Sequence, residues 1–170
     1  MARKVSIVMG SDSDWEIVEA TCRALRELEI PFEAQVISAH RSPEQLREYV
    51  LNAEKNGIGV FIAAAGGAAH LAGVIAAATV LPVIGIPIQT SAMGGLDSLL
   101  SMVQMPGGVP VGAMSVGSGG ARNAGIFAAQ ILALEDPELT RRLTEFKLSM
   151  AQEVAHKNQK LQALVDEIRT

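Results

Sequence analysis

The sequence predicts an α/β fold, in which a parallel β-sheet is flanked by helices. Short apolar runs alternate with segments of helical length along most of the 170 residues, and this alternation is typical of strand–helix–strand units with right-handed crossovers. Between residues 56 and 134, only Asp97 and Arg122 carry a formal charge. Such a segment is expected where parallel strands are buried on both faces.

Five apolar runs are predicted as the strands of this sheet, because their length and apolar content match those of buried strands. They span residues 5–9, 32–38, 59–65, 83–88 and 109–116. Strands joined by helical crossovers pair in parallel, so their carboxyl ends are expected at the same edge of the sheet.

Helix start signals mark the first two helices. The first is predicted to begin at Ser13, whose spacing to Glu16 matches a capping box. The second is predicted to have Ser42 as its N-cap and Pro43 at its first position, and to end near residues 56–57. Further helices are predicted within residues 68–80, 96–105 and 120–136, and the last of these carries small residues that allow close packing.

From Pro137 onward, apolar residues recur at steps of three and four among many charges, which predicts one amphipathic helix of about 30 residues. Such a helix is about 45–50 Å long, whereas a compact domain of this size is about 40 Å across. The helix must therefore bend, break or reach a neighbouring subunit, and a neighbouring subunit of a homo-oligomer is favoured. We expect a single domain over residues 1–170, with an α/β core at 1–134 and this helix at 137–169.

Composition and charge exclude several classes of function. Cys22 is the only cysteine, which excludes an internal disulfide, and with only three histidines a structural zinc site is not expected. A reducing cytoplasm fits this cysteine usage best. The net charge of −4 gives no basic surface for nucleic acid. Residues 72–88 are apolar enough to suggest a membrane span, but prolines and a glycine interrupt them and Lys/Arg anchors are missing, so burial within the protein is favoured.

Three polar loops follow the first three predicted strands. They read GSDSDW at residues 10–15, SAHRSP at 38–43 and AGGAAHL at 65–71. In open α/β sheets, ligands bind beyond the carboxyl ends of the strands, where such loops and the N-termini of helices converge. We therefore expect the three loops to form one site.

His40 and Arg41 are the strongest candidates for chemistry in these loops. They lie between a strand expected in the middle of the sheet and a helix that begins with proline, so their backbone is held firmly. An imidazole there can act as acid and base near neutral pH, and the arginine fork suits a phosphate or carboxylate. Local chemistry leaves a purely structural role open, as a helix cap, turn residue or hydrogen-bonded histidine, for Ser11, Ser13, Asp14, Ser42 and His70.

The sequence lacks the motifs of several competing chemistries. It has no Walker loop, no HExxH motif or cysteine cluster for a metal, and no GxSxG serine elbow. Its GSGGARNAG segment places Arg122 where a dinucleotide-binding motif needs glycine. Metal-free acid–base chemistry on a small anionic molecule is the interpretation that is left.

Six segments within residues 5–134 carry a resemblance to a known family: IVMGSDSDW, VISAHRSP, AAAGGAAHLAG, PVIGIPIQ, LDSLLSMVQMPGGVPVG and ARNAGIFAAQILAL. Together and in this order they resemble the class I 5-(carboxyamino)imidazole ribonucleotide mutases of purine biosynthesis, often called the catalytic subunit of phosphoribosylaminoimidazole carboxylase. The resemblance implies a flavodoxin-like three-layer α/β/α sandwich, a homo-octamer, and no metal, nucleotide or biotin cofactor.

The same resemblance implies a reaction and its residues. Family members are isomerases that move a carboxyl group from the exocyclic nitrogen of an aminoimidazole ribonucleotide to ring carbon C4, through CO2 held in a closed site. The catalytic histidine falls on His40, which would protonate the substrate as CO2 departs and then take the proton from C4. The substrate-binding positions fall on Ser11, Asp14, Ser38, Arg41, Gly66 and His70.

Within this set, the resemblance assigns Ser11 and Arg41 to the phosphate and Asp14 to the ribose hydroxyls. His70 would help to fix the migrating carboxyl group. Residues 105–112, MPGGVPVG, resemble the family's mobile segment over the site, where a pair of glycines would give hinge freedom.

Other functions stay open at this point. A direct carboxylase would use free CO2 on the same scaffold, although GGAAHL at residues 66–71 resembles the mutase branch. A non-catalytic nucleotide-binding module would need the phosphate site but not His40. A structural oligomer built around the C-terminal helix would need neither.

Overall fold

The computed structural model describes residues 3–169, which form a five-stranded parallel sheet and α-helices. The strands are β1 (Lys4–Met9), β2 (Phe32–Val36), β3 (Ile58–Gly66), β4 (Val83–Ile88) and β5 (Gly112–Ala113). The helices are α1 (Trp15–Glu27), α2 (Pro43–Leu51), α3 (Leu71–Ala76), α4 (Leu96–Val103), α5 (Ser118–Ala133) and α6 (Pro137–Arg169). The predicted alternation of strands and helices is thus confirmed.

The strand order is β2-β1-β3-β4-β5, which is the order of flavodoxin-like folds. Met9 at the end of β1 is level with Val36 at the end of β2 and with Ala64 of β3, and β3 continues to Gly66 at the same edge of the sheet. The order reverses between β1 and β3, and a crevice opens there beyond the carboxyl ends. The predicted fold class is confirmed, but β2, which was expected in the middle of the sheet, is an edge strand.

The central strands β3 and β4 are buried on both faces. Residues 58–65 of β3 and residues 83–87 of β4 are all buried. On one face, Phe61 belongs to a core cluster that includes Leu46 of α2 and Ile75 of α3. Burial between layers of helices explains why this part of the sequence carries almost no charge.

The entry to α1 differs from the prediction that the first helix begins at Ser13. A 3₁₀ turn, Asp12–Asp14, precedes the helix, and Ser11 is its N-cap with a side chain that accepts the Ser13 N–H. The α-helix itself begins at Trp15. A serine accepts a backbone N–H two or three residues ahead of it, and in this loop the tighter 3₁₀ turn brings the nearer N–H to Ser11.

Two other predicted elements are longer than the observed ones. The second helix ends at Leu51, since the chain then makes turns up to Gly57, which has a left-handed φ of 78°. The fifth strand has two residues, Gly112–Ala113, within the eight that were predicted. Pro110 has no N–H to donate to a neighbouring strand, which limits how early pairing can begin.

Small residues let α1 and α5 pack closely, as predicted. A Cβ atom at Gly125 of α5 would lie 3.0 Å from the Thr21 carbonyl oxygen of α1. The buried hydroxyl of Thr21 donates to the Ala121 carbonyl at 2.7 Å. Glycine and alanine on α5 therefore permit a backbone contact that larger side chains would prevent.

The contacts divide the chain into two compact units, Met1–Leu132 and Ala133–Thr170. The second unit consists mainly of α6, an unbroken helix of 33 residues. Asp136 caps its start, because its carboxylate accepts the N–H groups of Glu138 and Leu139 at 3.0 Å. Among residues 3–169, no helix is both long and apolar enough to span a membrane. One domain including this helix stays a prediction.

Candidate active site

A cavity of about 360 Å³ opens beyond the carboxyl ends of β1, β2 and β3. Its lining comes from the loops that follow these strands, at the point where the strand order reverses. It includes every site residue predicted from the sequence: Ser11, Asp14, Ser38, His40, Arg41, Gly66 and His70. The structure thus brings the three loops together, as expected for a ligand site in this fold.

His40 and His70 contact each other in this cavity. Nε2 of His40 lies 2.8 Å from Nδ1 of His70, and the rings meet edge to face with their centroids 5.0 Å apart. At this distance the two nitrogens form a hydrogen bond, in which one ring donates and the other accepts. A single proton therefore lies between the two nitrogens, and the tautomers of the two rings decide which nitrogen carries it.

Arg41 is held by the end of β1 and by Ser38. Its Nη2 donates to the Gly10 carbonyl at 2.9 Å, and its Nε donates to the Ser38 hydroxyl at 3.3 Å. The Ser38 hydroxyl also accepts the backbone N–H of Arg41 at 3.2 Å. A guanidinium has five N–H donors, so these contacts fix its orientation and leave donors for an anion.

Ser42 stabilises the loop at residues 38–42 more than the helix that it precedes. It is the N-cap residue of α2 and Pro43 follows it, as predicted, but its side chain makes no cap bond to the helix. Instead, its hydroxyl donates to the Ser38 carbonyl and accepts the Ser38 N–H, both at 3.1 Å. These bonds close a turn that contains His40 and Arg41 and hold its backbone in place.

Asp14 is buried at the end of the first loop. Burial raises the pKa of its carboxyl group and the charge of Asp12 adds to this, whereas hydrogen bonds with Ser11 and Ser13 oppose the shift. The two serines also bond to each other, since the Ser13 hydroxyl donates to the Ser11 hydroxyl at 2.8 Å. A poorly solvated carboxylate is a strong acceptor for hydroxyl groups, so Asp14 is suited to bind a sugar.

The remaining lining residues have no chemically reactive side chain. Sequence reasoning that looks for reactive side chains therefore overlooks them. They are Gly10, Ala39, Ala65, Ala68 and Leu71. Each lies on one of the same three loops, within two positions of a predicted residue, so proximity in the sequence is the signal that identifies them. Within residues 3–169, no cluster of His, Cys, Asp and Glu is arranged to hold a metal ion.

The strand order and the polar cavity at its switch point define a flavodoxin-like α/β protein with a small-molecule site. The family model described as AIR carboxylase matches residues 4–153. The chain belongs to the AIR carboxylase family. The recognition made from the sequence segments is therefore confirmed, and with it the expectation of an enzyme.

Relatives with curated names are similar over most of their length. The N5-carboxyaminoimidazole ribonucleotide mutase of Bacillus subtilis (strain 168) is 53% identical over 157 residues, covering 92% of this chain and 97% of the relative. The mutase of the same name from Escherichia coli (strain K12) is 49% identical over 151 residues, covering 89% of both chains. The crystal structure of Treponema denticola PurE is similar with a TM-score of 0.83 and 25% identity, covering 94% of this chain and 98% of that one.

Proposed function

We propose that the chain is an isomerase of de novo purine biosynthesis, which converts 5-(carboxyamino)imidazole ribonucleotide into 4-carboxy-5-aminoimidazole ribonucleotide. The carboxyl group leaves the exocyclic nitrogen as CO2 and is attached to C4 within the same closed site. The observation that carries the proposal is the identity of 49% to 53% with relatives named as mutases, over nearly all of both chains. The geometry of the cavity supports it.

His40 is the proposed acid and base. It begins protonated, gives its proton to the exocyclic nitrogen as the carbon–nitrogen bond breaks, and so releases CO2. After C4 attacks CO2, the neutral imidazole removes the proton from C4, which restores the aromatic ring and the starting state of His40. The 2.8 Å contact with His70 supports this role, because it orients the ring during both transfers.

Arg41, Ser11 and Asp14 are the proposed anchors for the ribose phosphate. Arg41 is oriented by two bonds to the protein and can offer its other N–H groups to the phosphate. Ser11 lies at the start of the 3₁₀ turn and lines the cavity, so its hydroxyl is placed to contact the phosphate. Asp14 is the acceptor for the ribose hydroxyls. No cofactor takes part in this scheme.

His70 and Gly66 are the proposed contacts of the migrating carboxyl group. A Cβ atom at Gly66 would meet Ile88 and Thr90 only at ordinary contact distances, the nearest at 3.5 Å. Packing within the chain therefore does not require glycine there, and close approach of a substrate is a reason for it. CO2 is neutral and diffusible, so enclosure must keep it near C4, and residues 105–112 are the proposed mobile cover.

Direct carboxylation of aminoimidazole ribonucleotide by free CO2 is the second candidate, because the family model carries the name AIR carboxylase. An isotope experiment separates the two reactions. The carboxyamino substrate is labelled with ¹³C in its carboxyl group and supplied with excess unlabelled bicarbonate. A mutase keeps the ¹³C label in the product, and a product that carries only unlabelled carbon would contradict the mutase proposal.

For the whole protein, the proposal is a cytoplasmic homo-octamer with a small-molecule ribonucleotide substrate and no nucleic-acid or membrane partner. In this assembly α6 packs on a neighbouring subunit. Apolar side chains along its second half support this, since Val154, Leu161 and Ile168 recur every seven residues and are all exposed in the single chain.

A further inference from the structure

Ser98 is a buried residue of α4 that joins two loops at the carboxyl edge of the sheet. Its side chain has 0% exposure. Its hydroxyl accepts the Gly67 N–H at 2.9 Å and donates to the Ile88 carbonyl at 2.7 Å. Both distances are those of good hydrogen bonds, and together they use the donor and an acceptor site of the hydroxyl. Ser98 thus ties the loop after β3 to the end of β4.

Gly67 begins the turn that leads to His70. Its φ of 68° is left-handed, which favours glycine at this position. The Gly67 carbonyl accepts the Ala69 N–H, and the Ala68 carbonyl accepts the His70 N–H, both at 2.8 Å. Because these overlapping bonds link Gly67 to Ala69 and Ala68 to His70, a shift of Gly67 is transmitted along the turn to the ring of His70.

We propose that Ser98 is a positioning residue, which holds the 67–70 turn in place and thereby sets the contact between His70 and His40. The inference rests on the catalytic role proposed for His40. Ser98 is not among the residues that line the cavity, so it acts through Gly67 and not on the substrate. The proposed anchors of the ribose phosphate lie on the other two loops, which the hydrogen bonds of Ser98 do not reach.

This arrangement predicts that kcat and KM respond differently to Ser98→Ala. The variant loses both bonds, and the remaining bond from the Ser101 hydroxyl to the Gly67 carbonyl is longer, at 3.3 Å. The turn therefore relaxes and His70 moves away from its position beside His40. We expect kcat to fall by about 10- to 100-fold, the order of loss that a misplacement near 1 Å produces. KM should change much less than kcat, because the phosphate and ribose anchors are untouched and the contact of His70 with the carboxyl group is the one that is displaced.

Two further variants of Ser98 and one control separate positioning from general stability. Ser98→Cys keeps a similar side-chain volume but offers only a weak donor, so it should behave like Ser98→Ala. Ser98→Thr keeps the hydroxyl and should therefore retain most of the wild-type kcat. Thr21→Ala is the matched control, because it removes another buried hydroxyl bond, to Ala121, between α1 and α5. It should lower the melting temperature as much as Ser98→Ala and leave kcat unchanged.

A second measurement does not depend on turnover. In protein labelled with ¹⁵N-histidine, the ring nitrogens of His40 and His70 report their hydrogen bond directly. We expect their signals to change in Ser98→Ala and Ser98→Cys and to stay as in the wild type in Thr21→Ala. A folded Ser98→Ala or Ser98→Cys variant with wild-type kcat and wild-type histidine signals would overturn the inference. Failure of the wild-type protein to turn over the carboxyamino substrate contradicts the proposed function instead, and the histidine signals then still test Ser98.

Discussion

The hydrogen bond between His40 and His70 depends on the protonation of both rings. One nitrogen must accept, so two doubly protonated rings would place N–H groups against each other across the 2.8 Å contact and separate. His70 must therefore be neutral whenever His40 carries its second ring proton. A neutral His70 can either donate or accept, so the contact can persist while His40 donates a proton and later recovers it.

His40→Asn is the first test at this scale. An asparagine can keep a hydrogen bond but cannot exchange a proton near neutral pH, so kcat should fall by about 10²- to 10⁴-fold. Binding of the substrate should change little, because its phosphate and ribose contacts remain. Stopped-flow absorbance gives kcat and calorimetry gives the dissociation constant.

His156→Asn is the control for that substitution, because His156 is exposed on α6 and should tolerate the change. Wild-type turnover in His40→Asn would remove His40 from the mechanism. Nucleotide binding without any turnover in the wild-type protein would instead favour the non-catalytic module.

Asp14→Asn tests the cost of burying a carboxyl group. The pKa of Asp14 is raised in the folded protein, so the folded state binds its proton more tightly than the unfolded state. The contribution of Asp14 to the free energy of unfolding is therefore fully present below the ordinary pKa of 3.8, and it is lost as pH rises through the pKa of the folded state. The wild type loses this contribution as pH rises from about 4 to 7, whereas Asp14→Asn does not. The free energy of unfolding of the variant should therefore increase over this range relative to that of the wild type.

Urea denaturation at several pH values measures that difference. The same variant should lose about 10- to 100-fold in kcat/KM, since a charge-assisted hydrogen bond to the ribose contributes roughly 1.5–3 kcal/mol. A stability difference that is constant with pH would contradict the burial argument. An unchanged KM and kcat would contradict the proposed ribose contact.

At the scale of secondary structure, a polar network fastens α2 to β1 and β2. The hydroxyl of Tyr49 on α2 donates to Glu33 at 2.6 Å and lies 2.7 Å from the fully buried hydroxyl of Ser6. Lys4 pairs with the same carboxylate. Burial works to raise the pKa of Glu33, but the hydrogen bonds from Lys4 and Tyr49 outweigh it and hold this pKa below its ordinary value. Because α2 begins directly after the His40–Arg41 turn, the network also holds one side of the site.

Tyr49→Phe should lower the free energy of unfolding by about 1–3 kcal/mol, because it leaves a buried hydroxyl and a carboxylate with one partner fewer. Adding Ser6→Ala removes the hydroxyl that has lost its Tyr49 partner. The loss of free energy of unfolding in the double variant should therefore be smaller than the sum of the losses in the two single variants. Denaturant melts of all four proteins complete the cycle. Strict additivity would show that the Tyr49–Ser6 contact contributes nothing.

The pH dependence of stability gives this network a second signature. A lowered folded pKa means that the contribution of Glu33 is present above its ordinary pKa of 4.5 and is lost as pH falls through the folded value. Tyr49→Phe removes one of the bonds that lower this pKa. The acid-induced loss of stability should therefore be smaller in the variant than in the wild type.

At the scale of the whole molecule, α6 carries apolar side chains that stay exposed in the single chain. Val154 is 65% exposed, Leu161 54% and Ile168 85%. Their spacing of seven residues places them along one side of the helix, as in helices that pack on a partner. This is the physical argument for contact between subunits through α6.

Leu161→Glu should weaken the assembly, because it places a charge within that apolar stripe. Light scattering at several protein concentrations should show a smaller mean mass than for the wild type. Gln159→Glu adds the same charge at another exposed position of α6 and is the control. An equal mass for all three proteins would rule out this stripe as a contact between subunits.

Features that depend on neighbours along the chain could be predicted well. The alternation of elements, the Ser42–Pro43 helix start and the convergence of three polar loops follow from local patterns and from the handedness of crossovers. The start of α1 at Trp15 and the short β5 were missed, because competing turns and a proline decide them through small local differences in energy.

The sequence alone determined the fold class, the family and the loops that carry the site, since periodicity and ordered motifs are properties of the chain itself. The tertiary structure decided that β2 is an edge strand, that His40 bonds His70 across 30 positions, and that Ser98 holds Gly67 across 31. These contacts join residues that are far apart in the chain. No local pattern encodes them, because their geometry exists only after the strands have paired and the helices have packed.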